Sequence, residues 1–495
     1  MTLAWRVLAL ALALGGVAFR WSELGTWGLS NDEAWVGLAT RVEGLEQFWL
    51  AIAMTPVGWA ALVKLASVAP GDGELALRTV PFAFGCLTLW GAFRAGRRFA
   101  GHELGGILAL AVVAFEPLGV SYAKLLKQYT AEAFFCILAI DCAAAFAERR
   151  RRRDLVVLAL VLTGGLAFAN SQLFLAPPIF AALLLDALRR GDRRQLRDLV
   201  LATTVVGVVD LLHYRLVLGP RLPSALDEYW GAQIYLPLHP TDAAPILWAR
   251  LRWTLGPALG QYAFPAGMAC LAVASTLPSQ RTTGLLLALL VLELAVLSML
   301  GVVAVSQPRI LIFLTTTLGA FAGAAMALLL VRAAASRILA PVAAVGLAFL
   351  AHDFVRAHAW HALSRSTQVE DAGPLVREFE RERQPTDVLL LHQTTLFIYG
   401  YYQAATPVLL RMPLSVGYVP RLADPRVVLV NDPDVEARAR EALERSPRVW
   451  LVASRLRPPR EKRIRDSVAR VASPVLERRR PGALLMLLGR RPAGG

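Results

Sequence analysis

The stretch FWLAIAMTPVGWAALVKLASVAP, residues 48–70, decides how the chain is threaded. It is apolar, and a helix needs about 20 such residues to cross a hydrocarbon core of about 30 Å. Pro56, Gly58, Lys64 and Pro70 interrupt it, and a proline inside a helix removes a hydrogen bond and clashes with the preceding turn. Charge elsewhere gives the stronger reason against a span. Arg94, Arg97 and Arg98, the five arginines at 149–153, and Arg189, Arg190, Arg193, Arg194 and Arg197 fill short loops between apolar runs. Short basic loops stay on the cytoplasmic side. A span at 48–70 would carry the five-arginine loop to the other side, so we read the stretch as a re-entrant or interface-lying helix. The stretch 244–258, where Arg250 and Arg252 alternate with Trp248 and Trp253, reads the same way.

Outward from that stretch, apolar runs of membrane-crossing length predict helices at 3–20, 78–96, 104–122, 130–147, 155–171, 173–188, 199–217, 262–278, 284–304, 309–330 and 338–354. With the N-terminus inside, the arginine loops, Arg281 and the 332–337 link all fall inside. The first run follows a single Arg6 and lacks a small-residue cleavage site, so it reads as an uncleaved first helix. Of the 495 residues 56% are hydrophobic, and the mean hydropathy is +0.50; soluble domains sit near 45–50% apolar. A net charge of +15 would fit a nucleic-acid partner, but the clustering of arginines in short loops between apolar runs argues against one. Cys86, Cys136, Cys142 and Cys270 lie in or beside apolar runs without metal-ligand spacing.

From Ser366 the runs shorten and charges recur every few residues. The fold class is therefore a polytopic α-helical membrane protein of about 11 transmembrane helices with a small C-terminal α/β extracytoplasmic domain. The transmembrane part is 1–360, with a first outer loop at 20–77, and the soluble part is 366–495. Strands are predicted at 388–391, 427–430 and 449–452, with helices at 434–445 and 460–471. His392 and the aromatics Phe397, Tyr399, Tyr401 and Tyr402 read as an acceptor cleft or, more plainly, as core.

This threading gathers four irregular segments on the outer face: the 20–77 loop, the 122–129 turn, the 218–261 loop and the 306–309 turn beginning at Ser306. Polar residues so placed mark a functional site. Asp32 and Glu33 follow Ser30 and Asn31, a helix-capping pattern; a capped turn would also hold a carboxylate base rigid for taking a proton from an acceptor hydroxyl. Lys124 and Lys127, in a turn with Gln128 and Tyr129, are either snorkelling lysines or cations for a lipid-linked phosphate. Glu132, one turn further, is a second acid or a counter-ion for Lys127 or Lys124. Arg309 opens a span after Pro308 and reads as an anion ligand or another snorkelling side chain. His213, His239, His352 and His392 show no ligand spacing, and Asp141 and Glu293 read as packing contacts within spans. The chain has no phosphate-binding loop or dinucleotide fingerprint, which argues against a nucleotide-driven pump.

Four elements together resemble the GT-C membrane glycosyltransferases of the bacterial family 39 type, relatives of the dolichyl-phosphate-mannose protein mannosyltransferases and of the lipid A aminoarabinose transferases. They are Asn31-Asp32-Glu33-Ala34-Trp35; Thr55-Pro56-Val57-Gly58-Trp59 with Lys64 and then Glu74-Leu75-Ala76-Leu77-Arg78; Lys127-Gln128-Tyr129-Thr130-Ala131-Glu132; and Pro308-Arg309. The resemblance covers about residues 1–330. It implies transfer of a sugar, hexose or pentose, from a polyprenyl phosphate to an acceptor outside the cytoplasm: a cell-envelope glycan, lipid or protein. It makes Asp32 the base with Glu33 in support, gives the donor phosphate to Lys127 and Arg309 with Lys124 beside them, and leaves Glu132, Tyr129 and Arg78 as secondary members. It places the chain in the cell (inner) membrane, multi-pass, with a cytoplasmic N-terminus and an extracytoplasmic C-terminal domain. Mg²⁺ or another divalent metal could aid departure of the phosphate, but two cations can do so without one; no metal ligands are assigned. The rival readings are a flippase or transporter of lipid-linked saccharides and a non-catalytic envelope assembly protein. Convincing internal repeats, common in transporters, are missing from the sequence.

Overall fold

Residues 48–70 do not form one helix. After α1 (Leu3–Trp21) come three short helices, α2 (Asn31–Arg41), α3 (Leu45–Ala51) and α4 (Val57–Ala66). The break between α3 and α4 is fixed from both sides. Ala53 takes a left-handed φ of +38°, Pro56 caps α4, and Asn170 Nδ2 donates to the Met54 carbonyl at 2.6 Å. Gly58 lets α4 approach the turn at Ala167, where a Cβ would lie 2.8 Å from the carbonyl oxygen. Lys64 Nζ donates to the Ala39 and Val42 carbonyls at 3.3 and 3.1 Å, so α4 closes the open C-terminal end of α2.

The computed structural model describes residues 2–69, 73–221, 235–260, 262–305, 307–336, 339–362, 370–403, 405–412 and 417–490. Ser306, Arg337, the expected domain boundary at Ser366 and residues 222–234 of the third outer loop lie outside the described residues. Helices continue as α5 (Gly73–Ala100), α6 (Glu103–Phe115), α7 (Pro117–Tyr122), α8 (Tyr129–Arg149), α9 (Arg152–Gly165), α10 (Ala176–Arg190), α11 (Arg193–His213), α12 (Pro240–Leu259), α13 (Ala263–Thr276), α14 (Arg281–Met299), α15 (Ile312–Ala334) and α16 (Leu339–Ala362). Every predicted run thus carries a helix. Among the described residues, eight helical stretches are long and apolar enough to cross a membrane. The runs at 104–122, 155–171 and 262–278 carry shorter helices, α6, α9 and α13, of 13, 14 and 14 residues.

The 104–122 run divides at Glu116 because Pro117 has no N–H to continue the ladder. The carbonyls left open, Val113 and Ala114, accept from the buried Arg20 guanidinium at 2.8 and 2.9 Å. Glu116 accepts from Thr316 Oγ1 at 2.7 Å, which ties this break to α15, a helix buried along most of its length. The basic loops gather at one end of the bundle: Arg94 and Arg98 pair with Asp141 at 2.6 and 2.7 Å, and Arg152 pairs with Asp198 at 2.7 Å.

The C-terminal region forms a five-stranded sheet in the order β4-β1-β5-β7-β6. Its strands are β1 (Val388–His392), β4 (Val427–Val430), β5 (Val449–Ala453), β6 (Ala472–Arg480) and β7 (Ala483–Arg490); β2 (Leu409–Met412) and β3 (Gly417–Pro420) form a separate hairpin. β1, β4 and β5 are parallel, with Leu389 opposite Val427 and Val388 opposite Val449. Helix α19 (Val435–Arg445) connects β4 to β5 and α20 (Pro458–Ala469) leads to β6; the remaining helices are α17 (Gly373–Glu382) and α18 (Leu396–Tyr402). The antiparallel β6–β7 pair is an addition to the predicted strands: the run 484–488 is buried, but the charges of β6 point to solvent and mask its strand character.

Candidate active site

Helix α2 begins where the sequence places a cap. The Ser30 hydroxyl accepts from the Glu33 N–H at 3.4 Å, and Glu33 Oε2 accepts from the Ser30 N–H at 3.0 Å. This reciprocal box satisfies two open donors. Glu33 does more. Its carboxylate also accepts from Arg78 Nε at 2.8 Å, Arg78 Nη2 at 2.9 Å and the Leu126 N–H at 2.9 Å. It is 2% exposed; burial pushes its carboxyl up, and Arg78 and these hydrogen bonds hold it below the usual range. Arg78 extends the same brace to the carbonyls of Trp27, at 2.6 Å, and Gly28, at 3.1 Å. Glu33 and Arg78 therefore fix the outer loop and the 122–129 turn to each other, and neither faces an open volume.

Asp32, one residue earlier, is the exposed member of the pair, with 35% of its side chain accessible. Arg309 Nη1 donates to Oδ2 at 3.2 Å and Arg455 Nη2 donates to Oδ1. Burial pushes the Asp32 carboxyl up, but Lys127, Arg455 and Arg309 outweigh it and hold the group at about 2. Lys127 Nζ lies 5.0 Å from the Trp35 ring centroid, a cation–π contact. Burial brings its ammonium down to about 8 against the raising pull of Asp32. Glu370 completes the cluster: Oε1 accepts from Arg455 Nε and Oε2 from the Asn31 N–H, both at 2.9 Å. A partly open carboxylate among three cations suits an anionic ligand with a proton acceptor at its rim.

The structure thus brings Asp32, Lys127 and Arg309 together, with Glu33 and Arg78 directly behind. It does not bring Lys124, whose ammonium donates to Ser22 Oγ at 2.9 Å. Tyr129 stacks edge-on against Tyr122 at 5.0 Å, beside the cluster. Glu132 is buried, and no ion pair among the described residues joins it to Lys124 or Lys127. Phe397, Tyr399 and Tyr402 are buried, and the Tyr402 hydroxyl accepts from the Leu29 N–H at 2.8 Å. These aromatics dock the C-terminal region onto α2; they do not line an open cleft. His392 is fully buried between Thr394 and Asp432, each at 2.9 Å. Among the described residues no three His, Cys, Asp or Glu side chains form a group fit for a metal ion. Sequence reasoning missed Arg455 and Glu370. Arg455 stands in the basic run Arg455-Leu456-Arg457-Pro458-Pro459-Arg460, which reads as ordinary solvated surface.

The described residues form a helical bundle with short helices packed over one end, the Asp32 carboxylate on one of them and an α/β region docked against it. Residues 46–213 match the model of the family described as dolichyl-phosphate-mannose-protein mannosyltransferase. Among solved structures, ArnT from Cupriavidus metallidurans, both in the apo state and bound to undecaprenyl phosphate, is similar at a TM-score of 0.52 and 14% identity, over 98% of each chain. The archaeal oligosaccharyltransferase AglB from Archaeoglobus fulgidus, in complex with an inhibitory peptide and a dolichol-phosphate, is similar at a TM-score of 0.54 and 12% identity, over 91% of this chain and 69% of that one. No curated protein sequence matches the chain. Together these likenesses support a GT-C membrane glycosyltransferase related to the mannosyltransferase family and to ArnT, as the four sequence elements anticipate.

Proposed function

We propose that the chain moves a sugar from a polyprenyl phosphate to an acceptor outside the cytoplasm, with Asp32 as the base. One observation carries this reading: the accessible carboxylate of Asp32 is set among Lys127, Arg309 and Arg455 on a helix turn braced by Glu33 and Arg78. The acceptor hydroxyl gives its proton to Asp32 while its oxygen attacks the anomeric carbon. The bond from that carbon to the phosphate oxygen breaks, its electron pair stays on the phosphate, and polyprenyl phosphate leaves. Attack opposite the leaving group inverts the anomeric centre. The donor is already activated, so the protein needs to orient the acceptor, remove a proton and stabilise the phosphate.

In this reading all eleven predicted helices span the inner membrane, residues 1–360 form the membrane unit, and 366–495 form an extracytoplasmic domain. The N-terminus and the arginine loops are cytoplasmic, and the Asp32 cluster opens outward. The undecaprenyl phosphate bound to ArnT and the dolichol-phosphate bound to AglB are lipid phosphates of the chemistry proposed for the donor. The test incubates purified protein in nanodiscs with a panel of radiolabelled polyprenyl-phosphate sugars and an envelope extract. Label should leave the lipid in wild type and stay on it in Asp32→Asn. Full turnover by Asp32→Asn removes this residue from the chemistry. Tight lipid binding by wild type without turnover of any donor favours a flippase or an assembly role.

A further inference from the structure

Arg455 lies 423 positions along the chain from the carboxylate it touches, and its placement is over-determined. Ser454 and Thr394 join the ends of β5 and β1 through Ser454 Oγ to the Thr394 carbonyl at 2.6 Å and Thr394 Oγ1 to the Ser454 carbonyl at 2.8 Å. Arg455 then adopts a φ of +56°, a conformation disfavoured for a residue with a Cβ. Such outliers persist where their surroundings enforce them, and they gather at functional sites. The bend turns the side chain outward at the carboxyl ends of the parallel strands, the edge at which open α/β sheets bind ligands. Glu370 steers its Nε at 2.9 Å and ties it to the first turn of α2. Arg78 is enclosed at 4% side-chain exposure, whereas Arg455, at 37%, is open to a ligand.

Charge adds a second argument. Glu33 and Arg78 cancel each other. Lys127, Arg309 and Arg455 converge on Asp32, with Glu370 held by Arg455, so three cations stand around the place an incoming anion would take. We propose that Arg455 is a phosphate ligand contributed by the C-terminal region, and that Asp32 holds the phosphate's place among the cations until the donor arrives. This rests on the transferase reading above. A glycosyl polyprenyl phosphate is a diester with one negative charge, and the departing monoester carries more. The cluster therefore holds the leaving group more tightly than the donor, which is the difference that lowers a barrier. Transfer of the guanidinium from carboxylate to phosphate also strips Asp32 of a counter-ion and makes it a stronger base when the sugar is in place.

The test measures binding of tritiated undecaprenyl phosphate to the full chain in nanodiscs, with undecaprenol and inorganic phosphate as competitors. Arg455→Gln should weaken binding about tenfold or more, the scale of one lost charge-assisted hydrogen bond, and Arg455→Lys should restore part of it. Asp32→Asn should tighten binding, because the carboxylate no longer competes, and should gain less in an Arg455→Gln background. Tyr402→Phe, which removes one docking hydrogen bond without touching charge, should cost far less affinity than Arg455→Gln. Equal losses in Tyr402→Phe and Arg455→Gln, or an unchanged affinity in Asp32→Asn, overturn the proposal. Undecaprenol competing as well as undecaprenyl phosphate also overturns it, while competition by inorganic phosphate alone assigns the cluster to a free anion and overturns the lipid donor. The two readings fail separately. Wild type that shows this binding pattern and turns over no donor refutes the transferase; turnover with an unchanged donor KM in Arg455→Gln refutes the ligand.

Discussion

At the scale of single residues, adjacent carboxylates have opposite duties. Glu33 is enclosed by Arg78 and two backbone N–H groups, and Asp32 faces the open cluster. Loss of one partner of a buried pair leaves an uncompensated charge, so Glu33→Ala should cost about 3–5 kcal/mol. Its midpoint in detergent thermal unfolding should fall well below that of Asp32→Asn, which should abolish turnover and, by losing only a partly exposed pairing, lower the midpoint less. Lys127 gives a pH dependence. It faces Asp32 and Glu33 of α2 and the guanidinium groups of Arg309 and Arg455, and burial brings it to about 8. It loses its charge as pH rises through that value, so the donor KM should climb above about pH 8, and Lys127→Arg should flatten the rise. Asp32 runs the other way. Its value of about 2 lies below the ordinary 3.8, so its pairing stabilises the docked region above pH 3.8 and is lost as pH falls toward 2. Protease susceptibility of the C-terminal region should increase across that window.

At the scale of elements, the first outer loop is held through its helix ends. α2 is capped at its start by its own sequence and at its finish by Lys64 from α4. Lys64→Ala should uncap it and lower activity by misplacing Asp32, with the donor KM rising less than kcat falls. Gly58→Val would drive a branched side chain into the Ala167 carbonyl and should destabilise by about 1–3 kcal/mol, seen as a lower unfolding midpoint. The sequence displayed much of this scale. The proline in 48–70 and the sided arginines were enough to reject a span, because helix breaking and charge placement are local or additive. The β6–β7 hairpin was hidden because a strand with an exposed, charged face loses its alternation signal. The division of the 104–122 run was also obscured: the proline after Glu116 is plain, but Arg20, which makes the break tolerable, comes from a helix nearly a hundred residues earlier.

At the scale of the whole molecule, the Asp32 side of the cluster could be read in advance and the Arg455 side could not. Asp32, Lys127 and Arg309 each sit at a helix terminus next to an apolar run, so threading the runs brings them to one face. Arg455 and Glu370 become visible only when the sheet is docked, and docking depends on side-chain shape: Tyr402 under Leu29, and Phe397 donating its N–H to Asn31 Oδ1 at 3.1 Å. Local patterns carry no such long-range geometry. The same distance along the chain has a consequence for biosynthesis. Residue 32 leaves the ribosome long before residue 455, and inserted helices cannot organise the cluster until the final strands are made and folded. A nascent chain should therefore remain inert toward activated sugars in the bilayer, and competence should arrive abruptly, once synthesis is nearly complete.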